Sequence, residues 1–557
     1  MKVILCALNA KYIHSSLSVR CLKNAVADVC DCVIKEYSIN DTIDSMCRDI
    51  HSVGADYVAF SCYIWNIDMV LKLSAVLKCT NPEISIILGG YEVMFDSISV
   101  LSENPQIDAV IRGEGEITLT NYLKAVQGYG SIADVCGITY RSEGKIISNP
   151  DETDICDLNL IPFAYEDGFE LCKDKIVYYE SSRGCPFGCT YCISGKDSKV
   201  RFLDTDRVKT DIDCFIDACV PLVKFVDRTF NANPKRAKEI LEHIARRNGN
   251  TAFHMEIAGD ILDDETIEIA SSVREGMLRF EIGVQTTNPN TMRAIERNIS
   301  YEKLAENVEK LRSHGNVHLH LDLIAGLPYE DIESFRNSFN DVIRLNPHVL
   351  QLGFLKLLKG SKIRAQEKKF GYVYSPFSPY EVISNDFMSY DDILEIKGVE
   401  EALERYYNSG SFTNTMNFLF EKHSSEYDVF KCISDNFSDN YPAGYAFSKQ
   451  KLYEILLNCF SHMGTEFFEN LKKDYLINFR PGKRPEWFDK PDLSLVEKTY
   501  SVFRNEELKK EFFPEYYDVP AKEVMKHMHP ERFSHGILLF DYKKGKTYDI
   551  TRFIDTE

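Results

Sequence analysis

Apolar and polar stretches alternate regularly along the first part of the chain. Short apolar runs at 3–8 (VILCAL), 32–38 (CVIKEYS), 57–63 (YVAFSCY), 85–90 (SIILGG) and 109–113 (AVIRG) read as strands. Between them, stretches such as SLSVRCLKNAVADV and NIDMVLKLSAVLK carry helical spacing. Strands without polar alternation, separated by helices, predict a parallel, doubly wound α/β sheet. Five of them predict a flavodoxin-like (Rossmann-type) domain over residues 1–135. Ligands of such sheets lie beyond the C-terminal strand ends. The loops there read NAKYIHSS (9–16), SCYIWN (61–66), GGYE (89–92) and RGEGE (112–116). They place Tyr12, His14, Tyr63 and Trp65 on one rim, with Gly89, Gly90, Gly113 and Gly115 allowing close backbone approach. A large, flat, partly apolar ligand suits such a rim.

Residues 136–174 read as a β segment, GITYRSEGKIIS, and an irregular linker, DLNLIPFAYEDGF. A second strand–helix series fills 175–362, with strand-like runs at 175–182, 222–230, 252–259, 278–285, 317–328 and 349–359. Six βα units predict a partial (β/α)6 barrel, six of the eight units of a closed one. From 363 to 557 the alternation gives way to helical periodicity and then to an aromatic-rich stretch containing NFRPGKRPEWF. This predicts a mainly helical or mixed C-terminal domain, divisible into two subdomains, that selects substrate.

No apolar run approaches the roughly 20 residues that span a bilayer, and KVILCALNA reads as a buried strand, so a cytoplasmic protein without a membrane partner is expected. The net charge of −20 argues against a surface devoted to nucleic acid. The 17 cysteines are scattered and, in a cytosol, read mostly as small buried hydrophobes rather than disulfides. Such free use of cysteine fits an anaerobic cell.

Cys185, Cys189 and Cys192 differ from the rest. They form C-x3-C-x2-C in SSRGCPFGCTYCISG, directly after the first strand of the second series, at the mouth where barrel enzymes keep their chemistry. Three thiolates can hold three irons of a cubane and leave the fourth open. Structural zinc needs a fourth ligand, and neither His nor Cys follows closely. Gly184 and Gly188 let the loop fold tightly, and the aromatic Tyr191 stands directly before the third cysteine.

CPFGCTYC resembles the cluster loop of the radical S-adenosylmethionine (SAM) superfamily. The resemblance implies a 4Fe–4S cluster whose open iron is chelated by SAM, and cleavage of SAM to a 5′-deoxyadenosyl radical. It implies that Gln285 in EIGVQT holds SAM or substrate and that Glu256 in HMEIAG touches the ribose. It also implies that Gly326 and Leu327, in IAGLPYE, pass near the adenine. The family's Gly-Gly-Glu after the second strand is absent; VDRTFN stands there, which leaves the amino-group contact to Asp227 or Arg228.

An α/β domain ahead of such a barrel resembles the cobalamin-binding branch of the family. LGGYE is similar to that branch's G-G-P-E turn, with Tyr91 in place of proline followed by Glu92, and RGEGE matches its fifth-strand loop through Gly113, Glu114 and Gly115. The D-x-H-x-x-G motif of other cobalamin domains is missing, which leaves His14 as the candidate cobalt ligand. The resemblance implies an enzyme that methylates, or otherwise modifies, an unactivated carbon through the radical and methylcobalamin, with reduced flavodoxin or ferredoxin as electron donor. A small metabolite, a peptide or a tRNA nucleoside is open as substrate. The alternatives are methylthio-type modification of a tRNA nucleoside, a barrel whose N-terminal domain binds no cobalamin, and a sensor with a structural cluster.

Overall fold

The computed structural model describes residues 1–196, 199–480 and 484–554. It divides into two compact units, Met1–Ile393 and Leu394–Glu557.

The first unit holds two main sheets. In the first, β1 (Lys2–Asn9), β2 (Asp31–Ser38), β3 (Tyr57–Ser61), β4 (Ser85–Gly89) and β5 (Ala109–Ile111) run parallel in the order β2-β1-β3-β4-β5. The unbroken apolar run of β1 has a direct cause. Ile4, Cys6 and Leu8 enter one core while Val3, Leu5 and Ala7 enter another on the opposite face. Cys6, Cys21, Cys47 and Cys62 are buried, as small hydrophobes, whereas Cys79, Cys156, Cys214, Cys219 and Cys432 are exposed, against the expectation from the sequence. The helix Ile43–Val53 starts on a Thr42 cap and stops at Gly54 in the left-handed region.

One boundary moves. The hairpin β6 (Ile138–Ser142) and β7 (Lys145–Ser148) pairs antiparallel onto β5, extending the first sheet to seven strands, although the sequence pattern assigns it to the linker that follows the sheet. Arg112 ties it down, donating to Thr139, Ser148 and the Asn149 carbonyl.

The second sheet is parallel throughout. Its strands are β8 (Val177–Tyr179), then, after the short antiparallel pair β9 (Ser182–Arg183) and β10 (Arg201–Phe202), β11 (Leu222–Phe225), β12 (Ala252–Ile257), β13 (Leu278–Gln285), β14 (His318–Ala325) and β15 (Val349–Phe354). The order β15-β14-β13-β12-β11-β8 is that of an open six-stranded barrel. The free edge of β8 is met by the first sheet's loop: His14 bridges Ile176, and the Ser15 hydroxyl donates to the Ile176 carbonyl.

Residues 363–393, which the sequence pattern assigns to the C-terminal domain, pack with the first unit. Tyr372 and Asn385 donate to the Gly326 carbonyl beyond β14, and the Ser378 hydroxyl reaches the Ile64 carbonyl beyond β3.

The second unit begins with helices and ends in a three-stranded antiparallel sheet, Met528–Phe533, Gly536–Asp541 and Lys546–Asp549, on a core that includes Phe503, Phe513 and Tyr516. Of NFRPGKRPEWF, residues 481–483 lie outside the described residues. Trp487 and Phe488 pack edge-on against Tyr475, and Arg484 pairs with the buried Glu531 at 2.7 Å. These aromatics serve the interior of their own unit. Among the described residues no helix is long and apolar enough to cross a membrane.

Asp227 holds the start of the cluster loop. Its fully buried carboxylate accepts from the Ser181 N–H (2.7 Å), the Ser181 hydroxyl (2.6 Å) and the Ser182 hydroxyl (2.7 Å). Asp227→Ala would leave those donors without a partner, at a cost on the order of 3 kcal/mol. Thermal melting should show a lowered midpoint, and iron uptake on anaerobic reconstitution should fall, with Asp227→Asn intermediate in both.

Candidate active site

The cluster loop leaves β9 through Gly184, whose φ of +96° and position 2.4 Å (for an added Cβ) from the Lys199 carbonyl oxygen permit only glycine. At Gly188 an added Cβ meets nothing closer than 3.6 Å, so the expected need for glycine there is not steric. A collar then clamps the loop. The Thr190 N–H donates to the Ile295 carbonyl (3.0 Å), its carbonyl accepts from the Ile363 N–H (2.9 Å), and Lys362 spans the Gly188 carbonyl and Glu296.

Each sulfur has a polar neighbour. Thr229 Oγ1 lies 3.6 Å from Cys185 Sγ, Arg297 Nη1 donates to Cys189 Sγ at 3.6 Å, and the Ser194 N–H donates to Cys192 Sγ at 3.4 Å. Among the described residues no three Cys, His, Asp or Glu side chains converge as they would on a single ion. In a cubane each thiolate would take a different iron.

Around this loop the polar side chains divide into committed and free. Asp227 is committed, as above, and cannot also take an amino group. Arg228 is free. It is exposed, and its guanidinium makes no hydrogen bond or ion pair with the described residues. The surrounding protein partly desolvates it, which works against its charge, but Glu256, Tyr91, Cys192 and Tyr63 together hold its pKa above the ordinary value. This one guanidinium therefore senses the cluster loop, the end of β12 and the loops after β3 and β4. Being cationic, it fits a carboxylate rather than the ammonium expected from the sequence.

Glu256 is free as well, with its carboxyl raised to about 7 by burial and by Glu281, against the pull of Arg228 and Lys224. Gln285 follows a bulge in β13 and has φ +72°, a strained conformation of the kind that gathers at functional sites. Its amide nitrogen folds over Gly283, where a Cβ would lie 2.1 Å from it, and its Oε1 is buried without a partner. Tyr191 stands beside Arg297, 3.4 Å from hydroxyl to Nη1. Leu327 is fully buried, and Gly326 (φ +87°) lies under Val382, so this turn is covered by the 363–393 segment.

On the first sheet, Tyr63 and Trp65 stack at 4.4 Å with planes 8° apart, and Trp65 stays 46% exposed while its Nε1 donates to the Leu8 carbonyl. Gly90 (φ +113°) would place a Cβ 2.5 Å from the Cys62 carbonyl oxygen, so only glycine brings the Gly89–Gly90 loop this close to β3. Tyr91 is exposed beside this aromatic plate. An exposed, flat, glycine-backed shelf suits a planar macrocycle.

Among the other predicted rim residues, Glu92 and Glu114 are spent on structure. Glu92 is 2% exposed and is held by the Tyr380 hydroxyl and by Lys359 at 3.2 Å. Glu114 pairs with Arg201 at 2.6 Å and accepts from the Ile155 N–H. Gly113 (φ +75°) makes the turn before it, and Gly115 opens the helix Gly115–Val126 with Leu22 against it. Tyr12 is 76% exposed, with the Lys175 ammonium over its ring. His14 Nδ1 is taken by the Tyr178 hydroxyl at 2.7 Å, and burial with nearby Lys11 and Lys224 keeps its pKa low.

Sequence reasoning missed Arg297, whose neighbour along the chain is an unremarkable helix end, and the ion pairs of Arg183. It also missed the polar interior of the second sheet, although alternation in LRFE (278–281) and HLHLDL (318–323) carried the signal.

Comparison with known proteins matches residues 4–123 to the B12 binding domain, 179–342 to the radical SAM superfamily, and 368–552 to a protein family of unknown function, DUF4080. The 2-(S-pantetheinyl)-carbapenam-3-carboxylate methyltransferase of Streptantibioticus cattleyicolor is 23% identical over 67% of this chain and 60% of its own length. The hopanoid C-3 methylase of Methylococcus capsulatus is 25% identical over 68% of this chain and 70% of its own. Among solved structures, the cobalamin-dependent SAM radical enzyme OxsB with aqua-cobalamin bound superposes with a TM-score of 0.63 at 14% identity, covering 87% of this chain and 82% of that one. The two models bring their cofactors with them: cobalamin for the first sheet, and a 4Fe–4S cluster with SAM for the second. With these two modules in this order, the chain belongs to the cobalamin-binding radical SAM family.

Proposed function

We propose that the protein is a cobalamin-dependent radical SAM methyltransferase acting on an unactivated carbon. The observation that carries this is the environment of Arg228, a single unpaired guanidinium that senses Cys192 of the cluster loop, Glu256 of the barrel mouth and Tyr63 and Tyr91 of the cobalamin shelf. This supports a reading in which the two loop faces open onto one chamber.

When bound, the cluster and SAM supply a 5′-deoxyadenosyl radical, and methylcobalamin supplies a methyl group that a carbon radical can take. The chain's own residues do the rest. Cys185, Cys189 and Cys192 would hold three irons, and the collar from Ile295 to Arg297 and at Ile363 keeps them in place. Arg228 would take the carboxylate of SAM, and Glu256 an ammonium or ribose hydroxyl. Gln285 offers an acceptor from a fixed backbone. The Tyr63–Trp65 plate and the Gly90 shelf would support the corrin, and Tyr91 would bound the space between the cofactors. Holding the reacting groups at contact distance, with water excluded, replaces diffusion by geometry. The methyltransferase relatives support the reading. An electron donor such as flavodoxin or ferredoxin, and the 394–557 unit as a substrate selector, belong to the same proposal.

Anaerobic purification with hydroxocobalamin should yield stoichiometric cobalamin by its absorption bands; a chain that stays colourless in that region sinks the cobalamin half. Replacing the three cysteines by alanine should abolish both iron and reductant-dependent 5′-deoxyadenosine, and persistent cleavage would refute the site.

Arg297 adds a test of the cluster's surroundings. Its guanidinium donates to Cys189 Sγ and lies next to the Gly283 carbonyl, so it places positive charge at the cluster's edge. Hydrogen bonds to the sulfurs and local charge set cluster potentials. Arg297→Gln should make the cluster harder to reduce, and Arg297→Lys should do so less, as read by EPR-monitored redox titration at unchanged iron content.

A further inference from the structure

The segment that clamps the cluster loop is also a strongly basic stretch of an acidic chain. Residues 356–369, KLLKGSKIRAQEKK, carry Lys356, Lys359, Lys362, Arg364, Lys368 and Lys369 against one carboxylate, Glu367, while the whole chain has a net charge of −20. The short helix Lys362–Ala365 starts on Ser361, whose hydroxyl oxygen accepts from the Arg364 N–H, and one further turn, Glu367–Lys369, follows it. The same helix grips the cluster loop. The Ile363 N–H donates to the Thr190 carbonyl at 2.9 Å, and Lys362 Nζ to the Gly188 carbonyl at 3.3 Å.

Part of this charge has a structural use. Lys359 pairs with Glu92 and Asp96, and Lys362 pairs with Glu296. Arg364 donates to the Leu357 carbonyl and lies over the rings of Tyr374 and Tyr380. Lys368 and Lys369 have no such use. Both are exposed and neither makes an ion pair with the described residues. Lys369 Nζ lies over the Phe370 ring, and the adjacent Glu367 is engaged by the Tyr374 hydroxyl at 2.7 Å. On the loop side, Pro186 is exposed and Phe187 is half-buried, so the tip of the cluster loop reaches the surface where Lys362 meets Gly188.

We propose that Lys368 and Lys369, with Pro186 and Phe187 of the loop tip, form the docking surface for an acidic one-electron donor protein that reduces the cluster. A positive patch on an otherwise negative molecule steers an acidic partner to that patch and repels it elsewhere. Electron-transfer partners meet over small, weak interfaces, and a small apolar tip flanked by lysines has that character. The donor has no need to enter the chamber. It gives one electron to the cluster, and no atom passes between the two proteins. The phosphates of an RNA would also meet these lysines, but the segment's grip on Gly188 and Thr190 favours a partner whose reaction is with the cluster. The inference rests on the enzyme reading above and adds to it the place where the electron enters.

The test follows 5′-deoxyadenosine formation by reconstituted holoenzyme with SAM. Electrons come from dithionite, from enzymatically reduced flavodoxin or from enzymatically reduced ferredoxin. Lys368→Glu/Lys369→Glu is compared with the parent and with Lys543→Glu/Lys544→Glu, which makes the same change of charge in the turn between Gly536–Asp541 and Lys546–Asp549. The expected result is an apparent KM for the protein donor raised about tenfold in the first variant alone, with the dithionite-driven rate unchanged in all three proteins. The donor-driven rate of the parent should fall steeply between about 20 and 300 mM salt, and that of the first variant should stay nearly flat. Equal donor KM values in the parent and the first variant, or the same rise in both variants, overturn the docking site. A matching fall in the dithionite-driven rate overturns it too, as does a parent that takes electrons from dithionite but from neither protein. Loss of tRNA binding in the first variant with an unchanged donor KM assigns the patch to RNA instead. A parent that forms no 5′-deoxyadenosine with any reductant overturns the enzyme reading itself, and the docking site with it.

Discussion

Arg183 is the joint on which the chemistry depends. It lies two residues before Cys185, and its buried guanidinium is shared by Glu180 at 2.8 Å, Glu114 at 3.5 Å and Glu116. Glu180 directly follows the first strand of the second sheet; Glu114 and Glu116 stand at the start of the helix Gly115–Val126 that follows β5. A guanidinium is always charged and directional, so it fixes relative orientation as well as distance. A radical made at one face and a methyl group carried at the other must meet the same carbon within contact distance. Arg201, pairing Glu114 from β10, completes the tie on the far side of the cluster loop.

A second tie closes the opposite flank. Glu92, beyond β4, is held by Lys359 and Tyr380, which follow β15, and the segment through Asn385 covers the Gly326 turn. Two carboxylates in loops that resemble the cobalamin-contacting turns of the family, Glu92 and Glu114, are thus spent on joining the sheets. The loops keep their glycines and aromatics for the ligand, and Gly90 and the Tyr63–Trp65 plate show where that surface remains.

The parts of this molecule legible in its sequence follow from local rules. Parallel strands buried on both faces leave unbroken apolar runs, so β1 to β5 stand out; a three-cysteine loop is visible by spacing alone. The remainder depends on contacts between distant residues. Nothing near Ile138 says that its hairpin pairs with β5 rather than belonging to the linker, and nothing near Tyr380 says that its hydroxyl meets Glu92. Asp227 illustrates the limit. Its place after the second strand made it a reasonable ligand for an amino group, and only the serines 45 and 46 positions earlier show it to be a brace.

The alternation in β12, β13 and β14 is where sequence and chemistry come closest. Parallel strands covered on both faces read as continuous apolar runs. A strand such as HLHLDLIA departs from that rule because one of its faces looks onto a space that is not filled by apolar side chains. Selection for stability alone would favour well-packed hydrophobic residues there, which often match or exceed buried ion pairs in stability. A barrel that keeps Lys224, Glu281, Glu256 and Asp322 inside has therefore given up stability at those positions. The gain must lie in what the space holds.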